Sequence, residues 1–240
     1  MSKTEKAYKS LDFLNSPAAR TVRILSEYEE PRQRLRAQGV RDTIVVYGSA
    51  RTQPGNRYYD EARELSRRLT EWSMTHEEGR YLICTGGGPG IMEACNRGAA
   101  DVPGGRSVGL GISLPFEEKV NQYVPDELSF EFHYFFMRKY WFMYLAKCAV
   151  IMPGGFGTLD ELFESLTLRQ TGKIKKPLPT VMYGRSFWEQ VLNLQAMVDG
   201  GTISPKDLDL LHWSDTVDDA FEYITAQVVE NTRARKAAGK

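Results

Sequence analysis

Cysteine and histidine are both scarce in this 240-residue chain. The cysteines Cys84, Cys95 and Cys148 are odd in number and share no CxxC spacing, which argues against a disulfide framework and against a structural zinc site. His76, His133 and His212 stand far apart with no carboxylate at ligand spacing, so no metal centre is expected. Neither sign of charge is in excess. With 31 Lys plus Arg against 31 Asp plus Glu, there is no overall field to draw in a polynucleotide or an anionic lipid surface. Long hydrophobic runs are missing too: MSKTEKAYKS at the start is too polar for a signal peptide, and the densest apolar stretch, YWFMYLA at 140–146, is closed off by Lys139 and Lys147. The expectation is a cytoplasmic protein with no nucleic-acid or membrane partner, whose ligand is a small molecule.

What is present is an alternation. Residues 1–40 read as a helical arm, with Ser16 as N-cap, Pro17 at the first helical position and Val22, Leu25 and Tyr28 at helical spacing, until Pro31 interrupts. From residue 43, β-rich runs alternate with helical periodicity. TIVVYG (43–48), YLICT (81–85), SVGLGI (107–112), CAVIMP (148–153) and PLPTVMYG (177–184) read as strands, and SFEFHYFF (129–136) alternates or extends. SFWEQVLNLQAMV and DTVDDAFEYITAQVVEN read as helices. Strands separated by helices imply right-handed βαβ units and an α/β fold with a doubly wound parallel sheet. Residues 41–230 are expected to form this nucleotide-binding domain, and 231–240 a frayed, solvated tail.

Two of the strand ends share a design. After YLIC comes TGGGPGIMEACNRGA (85–99), and after CAVIM comes PGGFGTLDELFE (153–164). Glycine permits positive φ and close approach of a ligand to the backbone, while the following helix start offers unpaired N–H groups and a partial positive charge. That combination holds a phosphate. Both loops fall at the carboxyl ends of their strands and can face one crevice. Neither contains Lys or Arg, neither matches the nucleoside-triphosphate pattern G-x-x-x-x-G-K-[ST], and the dinucleotide pattern G-x-G-x-x-G fails at Ile91. A monophosphate held by backbone amides fits better than ATP or NAD, although glycine turns also serve simply to let helices pack closely on strands.

Two charged residues have plain alternatives beside any functional reading. Thr158-x-x-Glu161 matches a capping box, in which the glutamate reaches back to the amide of its own cap. Arg138, in FFMRKYWFMY, sits among aromatics where arginines commonly snorkel or stack.

Taken together, PGGFGTLDE, the Arg138-Lys139 pair and the TGGGPGIME loop resemble the Lonely Guy family of nucleotide-processing proteins, many of which carry an old label as lysine decarboxylases. The family motif P-G-G-x-G-T-x-x-E is met by Pro153, Gly154, Gly155, Gly157, Thr158 and Glu161, and the resemblance runs from about residue 47 to 191. It implies a Rossmann-like fold and hydrolysis of the N-ribosidic bond of a nucleoside 5′-monophosphate, of the AMP or cytokinin ribotide type, to free base and ribose 5-phosphate without a cofactor. Cytokinin biosynthesis is the setting of the plant-type members. The resemblance makes Arg138 and Glu161 the catalytic pair. It places substrate on Gly48, Ser49 and Arg51, on Gly86, Gly87 and Gly88, on Lys139, and on Gly154, Gly155, Gly157 and Thr158. Compact members commonly carry His-Glu before Arg-Lys; Phe136-Met137 here is similar instead to the longer branch.

Breaking such a bond builds positive charge on the sugar, so a carboxylate near the anomeric carbon is required. A helix-N-terminal Glu161 is expected to be held as the anion by the dipole, suited to charge stabilisation or water activation rather than proton donation. No residue stands out as donor to the leaving base. Glu117, Glu118 and Asn121 are read either as ribose or base contacts or as a solvated loop. The aromatic stretch FEFHYFFMRKYWFMY carries more apolar surface than one helix usually hides, so a homo-oligomer, dimer or higher, is expected. The rival reading is a non-catalytic carrier of a nucleotide or pterin-type cofactor, as in relatives resembling molybdenum-cofactor carriers, and amino-acid decarboxylation lacks a lysine in a recognisable pyridoxal setting.

Overall fold

A computed structural model describes residues 4–76, 80–114 and 120–237, so Glu117 and Glu118 lie outside the described residues. Seven parallel strands form one sheet in the order β4-β3-β2-β1-β5-β6-β7. They are β1 (Asp42–Tyr47), β2 (Tyr81–Thr85), β3 (Ser107–Ile112), β4 (Ser129–Phe132), β5 (Ala146–Ile151), β6 (Thr180–Tyr183) and β7 (His212–Ser214). The α/β, doubly wound reading holds, with β7 added by the structure; its three residues are too few for a periodicity to show. Parallel strands covered on both faces read as continuous apolar runs, and β1 is buried from Thr43 to Tyr47.

Alternate residues of β1 feed opposite layers. Ile44 and Val46 pack with α3 (Arg57–Thr75), α4 (Ile91–Ala100) and α9 (Val217–Ala237) through Leu65, Ala94 and Ile224. Val45 and Tyr47 pack on the other side with α2 (Arg20–Ala37), α5 (Phe135–Leu145) and α6 (Phe156–Gln170) through Leu35, Phe142 and Leu162. The short helices α1 (Leu11–Asn15), α7 (Arg185–Val191) and α8 (Leu194–Asp199) complete the set. Asn193, whose side chain accepts from the Ala196 amide at 3.0 Å, starts α8 and divides the single helical run read at SFWEQVLNLQAMV.

Three local expectations are corrected. SFEFHYFF is a strand only to Phe132; α5 takes over at Phe135. The frayed tail expected from residue 231 is helical to Ala237, with Thr232 buried and bonded to the Tyr81 hydroxyl at 2.8 Å. Ser16 caps nothing downstream: its hydroxyl donates back to the Phe13 carbonyl at 2.7 Å, and Pro17 opens a 3-10 turn ahead of α2.

Pro31 does not interrupt α2, and the reason is tertiary. A proline lacks the N–H that would bond the carbonyl four residues earlier, which here belongs to Glu27. The indole N–H of buried Trp141 on α5 donates to that carbonyl at 3.0 Å. The Glu27 carboxylate in turn accepts from the amides of His133 and Tyr134 at 2.8 and 3.2 Å, which places a negative charge just ahead of α5, a helix with no acidic residue in its first turn. The N-terminal helix and α5 are thus mutually satisfied. Among the described residues no helix is long and apolar enough to cross a membrane.

Trp141→Phe should cost about 1–3 kcal/mol in denaturant unfolding, because the Glu27 carbonyl loses its donor. Adding Pro31→Ala, which restores a backbone N–H, should recover part of that loss. Strict additivity in the double variant would show that the indole bond does not stand in for the missing amide.

Candidate functional site

The loops after β1, β2 and β5 converge because those strands are neighbours, and the order reverses between β1 and β5. A crevice at the carboxyl ends of the strands is expected at such a switch point. One residue ties the loops together: the Ser49 amide donates to the Pro153 carbonyl at 3.0 Å, and the Ser49 carbonyl accepts from the Ile91 amide at 3.0 Å. The fit admits no side chain at Gly48, where a Cβ would lie 2.5 Å from Ile91. Nor does it at Gly90, with φ +69°, where a Cβ would lie 2.3 Å from the Ser49 carbonyl. Arg51 is exposed beside this junction, and its amide donates to the Ser49 hydroxyl at 3.1 Å.

The first glycine loop is held from behind by buried polar side chains. The Thr85 hydroxyl accepts from the Gly87 amide at 2.9 Å and donates to Asn96 Oδ1 at 2.8 Å; Asn96 Nδ2 donates to the Ser107 hydroxyl at 3.0 Å. Asn121 Nδ2 donates to the carbonyls of Gly87 and Gly88 at 2.9 and 3.1 Å. Asn121 is therefore not a freely solvated loop residue; it braces the loop. Gly87 adopts φ +72°, and Met92 fills the space beside Gly86 and Gly88.

The second loop leads into α6, whose N-cap is Gly155 with no side-chain cap. Thr158 therefore stands at the third helical position and Glu161 at the sixth. The capping-box reading fails: Glu161 lies a full turn too far along to reach a cap amide. The first-turn amides are left to whatever binds there. Thr158 is folded under Gly154, where a Cβ would meet its hydroxyl oxygen at 2.1 Å. Gly155 and Gly157 differ from Gly154. Neither has positive φ, and a Cβ on either would meet nothing within 4 Å. Neither packing nor backbone conformation demands glycine at these two positions, so the tight-packing alternative does not explain them.

Glu161 is 3% exposed. Its Oε1 lies 3.4 Å from Arg138 Nη2, reaching across from α5, while Oε2 has no hydrogen-bond partner among the described residues. Burial pushes its pKa up to about 7, against the lowering influence of Arg138 and Lys139. The dipole argument for a firmly ionised carboxylate is thereby corrected: at the second turn the helix field is weak and desolvation wins. Beside the pair, Lys139 donates to Asp160 at 2.7 Å and lies 3.4 Å from Glu164. Burial works to lower the Lys139 pKa, but the Asp160 bond and the charges of Glu164 and Glu161 outweigh it, and the pKa is raised.

Tyr47 and Glu164 escaped the sequence reading. The Tyr47 hydroxyl is buried and unpartnered among the described residues; burial, then the charges of Glu161, Cys84 and Glu164, raise its pKa well above the ordinary range. Glu164 follows Glu161 by three residues, one helical turn, a spacing legible in FGTLDELFE. Nothing in the sequence alone singles out Tyr47. The three cysteines are buried free thiols with pKa values raised by burial.

The chain is similar to several known proteins. The model of the family described as "Possible lysine decarboxylase" matches residues 92–224. The chain is 34% identical over 139 residues to a protein of Oryza sativa subsp. japonica named cytokinin riboside 5′-monophosphate phosphoribohydrolase LOG, covering 56% of this chain and 52%, about half, of the rice protein. It is 28% identical over 180 residues to the Arabidopsis thaliana phosphoribohydrolase LOG2, covering 73% and 76% of the two. Among solved structures, the X-ray structure of the structural genomics target TM1055 superposes with a TM-score of 0.54 at 25% identity, covering 77% of this chain and 99% of that one. A molybdenum cofactor binding protein from Rippkaea orientalis shares the fold, with a TM-score of 0.50 at 16% identity, covering 78% and 97%.

A folded-state pKa raised from 4.5 to about 7 means that ionising Glu161 costs stability. This contribution is present below about pH 4.5 and is lost as pH rises through about 7. Glu161→Gln should therefore be more stable than the native chain at about pH 8.5, by at most about 3 kcal/mol, with the advantage shrinking toward pH 5. Chemical denaturation at both pH values measures this, and a variant less stable at the higher pH would make the carboxylate a structural anion.

Proposed function

The chain belongs to the Lonely Guy family, whose model is described as possible lysine decarboxylase and matches more than half of its length, and from that premise we propose that it hydrolyses nucleoside 5′-monophosphates. The reaction is cleavage of the N-ribosidic bond of an AMP-type or cytokinin-type ribotide to free base and ribose 5-phosphate. The observation that carries this reading is a buried, readily titrated carboxyl held at a fixed distance from bare helix amides. Glu161 lies five residues beyond Phe156, about 8 Å along the axis of α6. That spacing leaves room for a phosphate on the amides and a ribose between it and the carboxyl.

In this reading the amides of the second loop, Thr158 and the Ser49 junction hold the phosphate. Binding energy spent there, remote from the reacting bond, positions the sugar. Arg138 orients ribose or phosphate. As the C1′–N bond breaks, its electron pair leaves with the base and positive charge grows on the ribose. The Glu161 carboxylate faces that charge and takes a proton from the water whose oxygen bonds to C1′. The proton needed by the departing base is then available from the same carboxyl group. A pKa near 7 suits a group that accepts and returns a proton at neutral pH.

Two other reactions fit less well. A decarboxylase working through pyridoxal needs a neutral amine to form an imine. Lys139, on the site's edge, is held as an ammonium by Asp160. A carrier of the kind whose fold this chain shares needs the loops but has no use for the Arg138–Glu161 pair.

The second part of the proposal is a homo-oligomer. α5 buries Trp141 and Phe142, yet Phe135 and Phe136 are half exposed, and Phe156 at the head of α6 is 93% exposed. A depression of about 530 Å³ continues along α6, lined by Leu159 and Phe163 and edged by Lys139 and Glu164. A second copy of the chain covers this apolar face in the proposed assembly.

Incubation with a panel of nucleoside 5′-monophosphates should release free base from at least one of them, with the matching nucleosides poor substrates. Arg138→Ala and Glu161→Gln should each lower kcat by two orders of magnitude or more, about 3 kcal/mol of transition-state stabilisation. kcat/KM should fall about tenfold per pH unit below pH 7 as Glu161 is protonated. No release from any monophosphate would sink the hydrolase, and an alkaline limb in place of the acidic one would make Glu161 the acid. Light scattering after size exclusion should give at least twice the chain mass, reduced by Phe156→Asp; a native monomer would reject the interface.

A further inference from the structure

At the end of the sheet opposite the glycine loops, positive charge collects although the chain is neutral by formal count. A cavity of about 590 Å³ at the amino ends of β1 and β5 is lined by Arg32, Arg36, Arg41, Lys147 and Arg235, with Asp42 the acidic residue in its wall. Asp42 is shared between Lys147 at 3.0 Å and Arg235 at 3.7 Å. Arg32 is paired with Glu29 at 3.1 Å. Arg36 and Arg41 are exposed, and their guanidinium groups have no ion pair or hydrogen bond among the described residues.

An adjoining cavity of about 320 Å³ shares Lys147 and Arg235 and adds Lys175 and Lys176. Lys176 registers the same field: burial first, then the charge of Lys147, lower its pKa to about 8. It is retained by the carbonyls of Met143 and Tyr144 at the end of α5.

Guanidinium groups are planar forks matched to pairs of phosphate oxygens. Several of them around one shared carboxylate, in a concave wall, favour a compact anion of more than one charge. A singly charged ion leaves most of that field unanswered, and a polynucleotide needs an extended basic stripe. We propose that this cavity is a second anion site, separate from the glycine loops, that takes a diphosphate group, either as inorganic pyrophosphate or as the diphosphate of a nucleotide. Its walls come from α2, the start of β1, the last turn of α5 and α9, so an anion bound there bridges the N-terminal and C-terminal helices.

Isothermal titration calorimetry of the full chain, with pyrophosphate and with ADP in separate arms, tests this at low and at moderate salt. Binding should occur at micromolar to millimolar ligand and weaken as salt rises. The double variant Arg36→Ala, Arg41→Ala alters two exposed side chains; it should weaken binding at least about tenfold, whereas Arg138→Ala should change it less than about twofold. Equal affinity for the two ligands assigns the site to the phosphate chemistry alone, and tighter ADP binding assigns it to a nucleotide. Absence of heat with both ligands at millimolar concentration overturns the proposal. So does binding lost in Arg138→Ala but kept in the double arginine variant, which puts the anion at the glycine loops.

Discussion

The arrangement of the site depends on the backbone of one residue. Ser49 follows the central strand β1, and its amide and carbonyl bond the loops on either side, at Pro153 and at Ile91. Because the strand order reverses at β1, the two glycine loops are its immediate neighbours. The absence of side chains at Gly48 and Gly90 lets the backbones close to hydrogen-bond distance. Without that contact the loops would be two independent turns, each with a few spare amides. With it they form one rim, braced on the far side by Thr85, Asn96 and Asn121. In the proposed reaction, rigidity of this kind lets phosphate binding position a sugar several ångströms away.

Behind that rim, desolvation outweighs the other electrostatic effects at Glu161. A carboxylate one turn into a helix gains little from the helix field, and a nearby arginine at 3.4 Å compensates its burial only in part. Folded proteins pair nearly all their buried polar atoms. Here Tyr47 Oη, Arg138 Nε, Glu161 Oε2 and Glu164 Oε2 all lack a hydrogen bond among the described residues, and the charges of Arg138 and Glu164 bear on the titration of both Glu161 and Tyr47. Tolerated local cost of this kind concentrates at functional sites, where it is offset by packing elsewhere. Here that packing includes the α2–α5 contact, in which Glu27 and Trp141 satisfy each other's helices.

How much of this was legible in the sequence depends on the range of the interaction that decides it. The strands of a parallel sheet announce themselves as continuous apolar runs, and the glycine loops as breaks between strand and helix, because both are set within a few residues. The capping box was misread because its pattern fixes a spacing but not a register: starting α6 at Phe156 turns Thr158 from cap into third residue. Pro31 was misread because a proline's effect on a helix depends on whether anything else reaches the stranded carbonyl, and the Trp141 indole lies 114 residues from that carbonyl in sequence. Asn121 and Tyr47 carry no local signature. Their environments are assembled from separate strands and helices, and β7 has too few residues to display a period.

The central claim is that both glycine loops hold one phosphoryl group so that Glu161 meets the sugar. It is tested most directly by a crystal structure of the Glu161→Gln chain with AMP bound. The account predicts phosphate oxygens within hydrogen-bond distance of the amides at the start of α6 and beside Ser49, with the anomeric carbon facing residue 161. A phosphate bound away from these loops, or an anomeric carbon turned from residue 161, would contradict it.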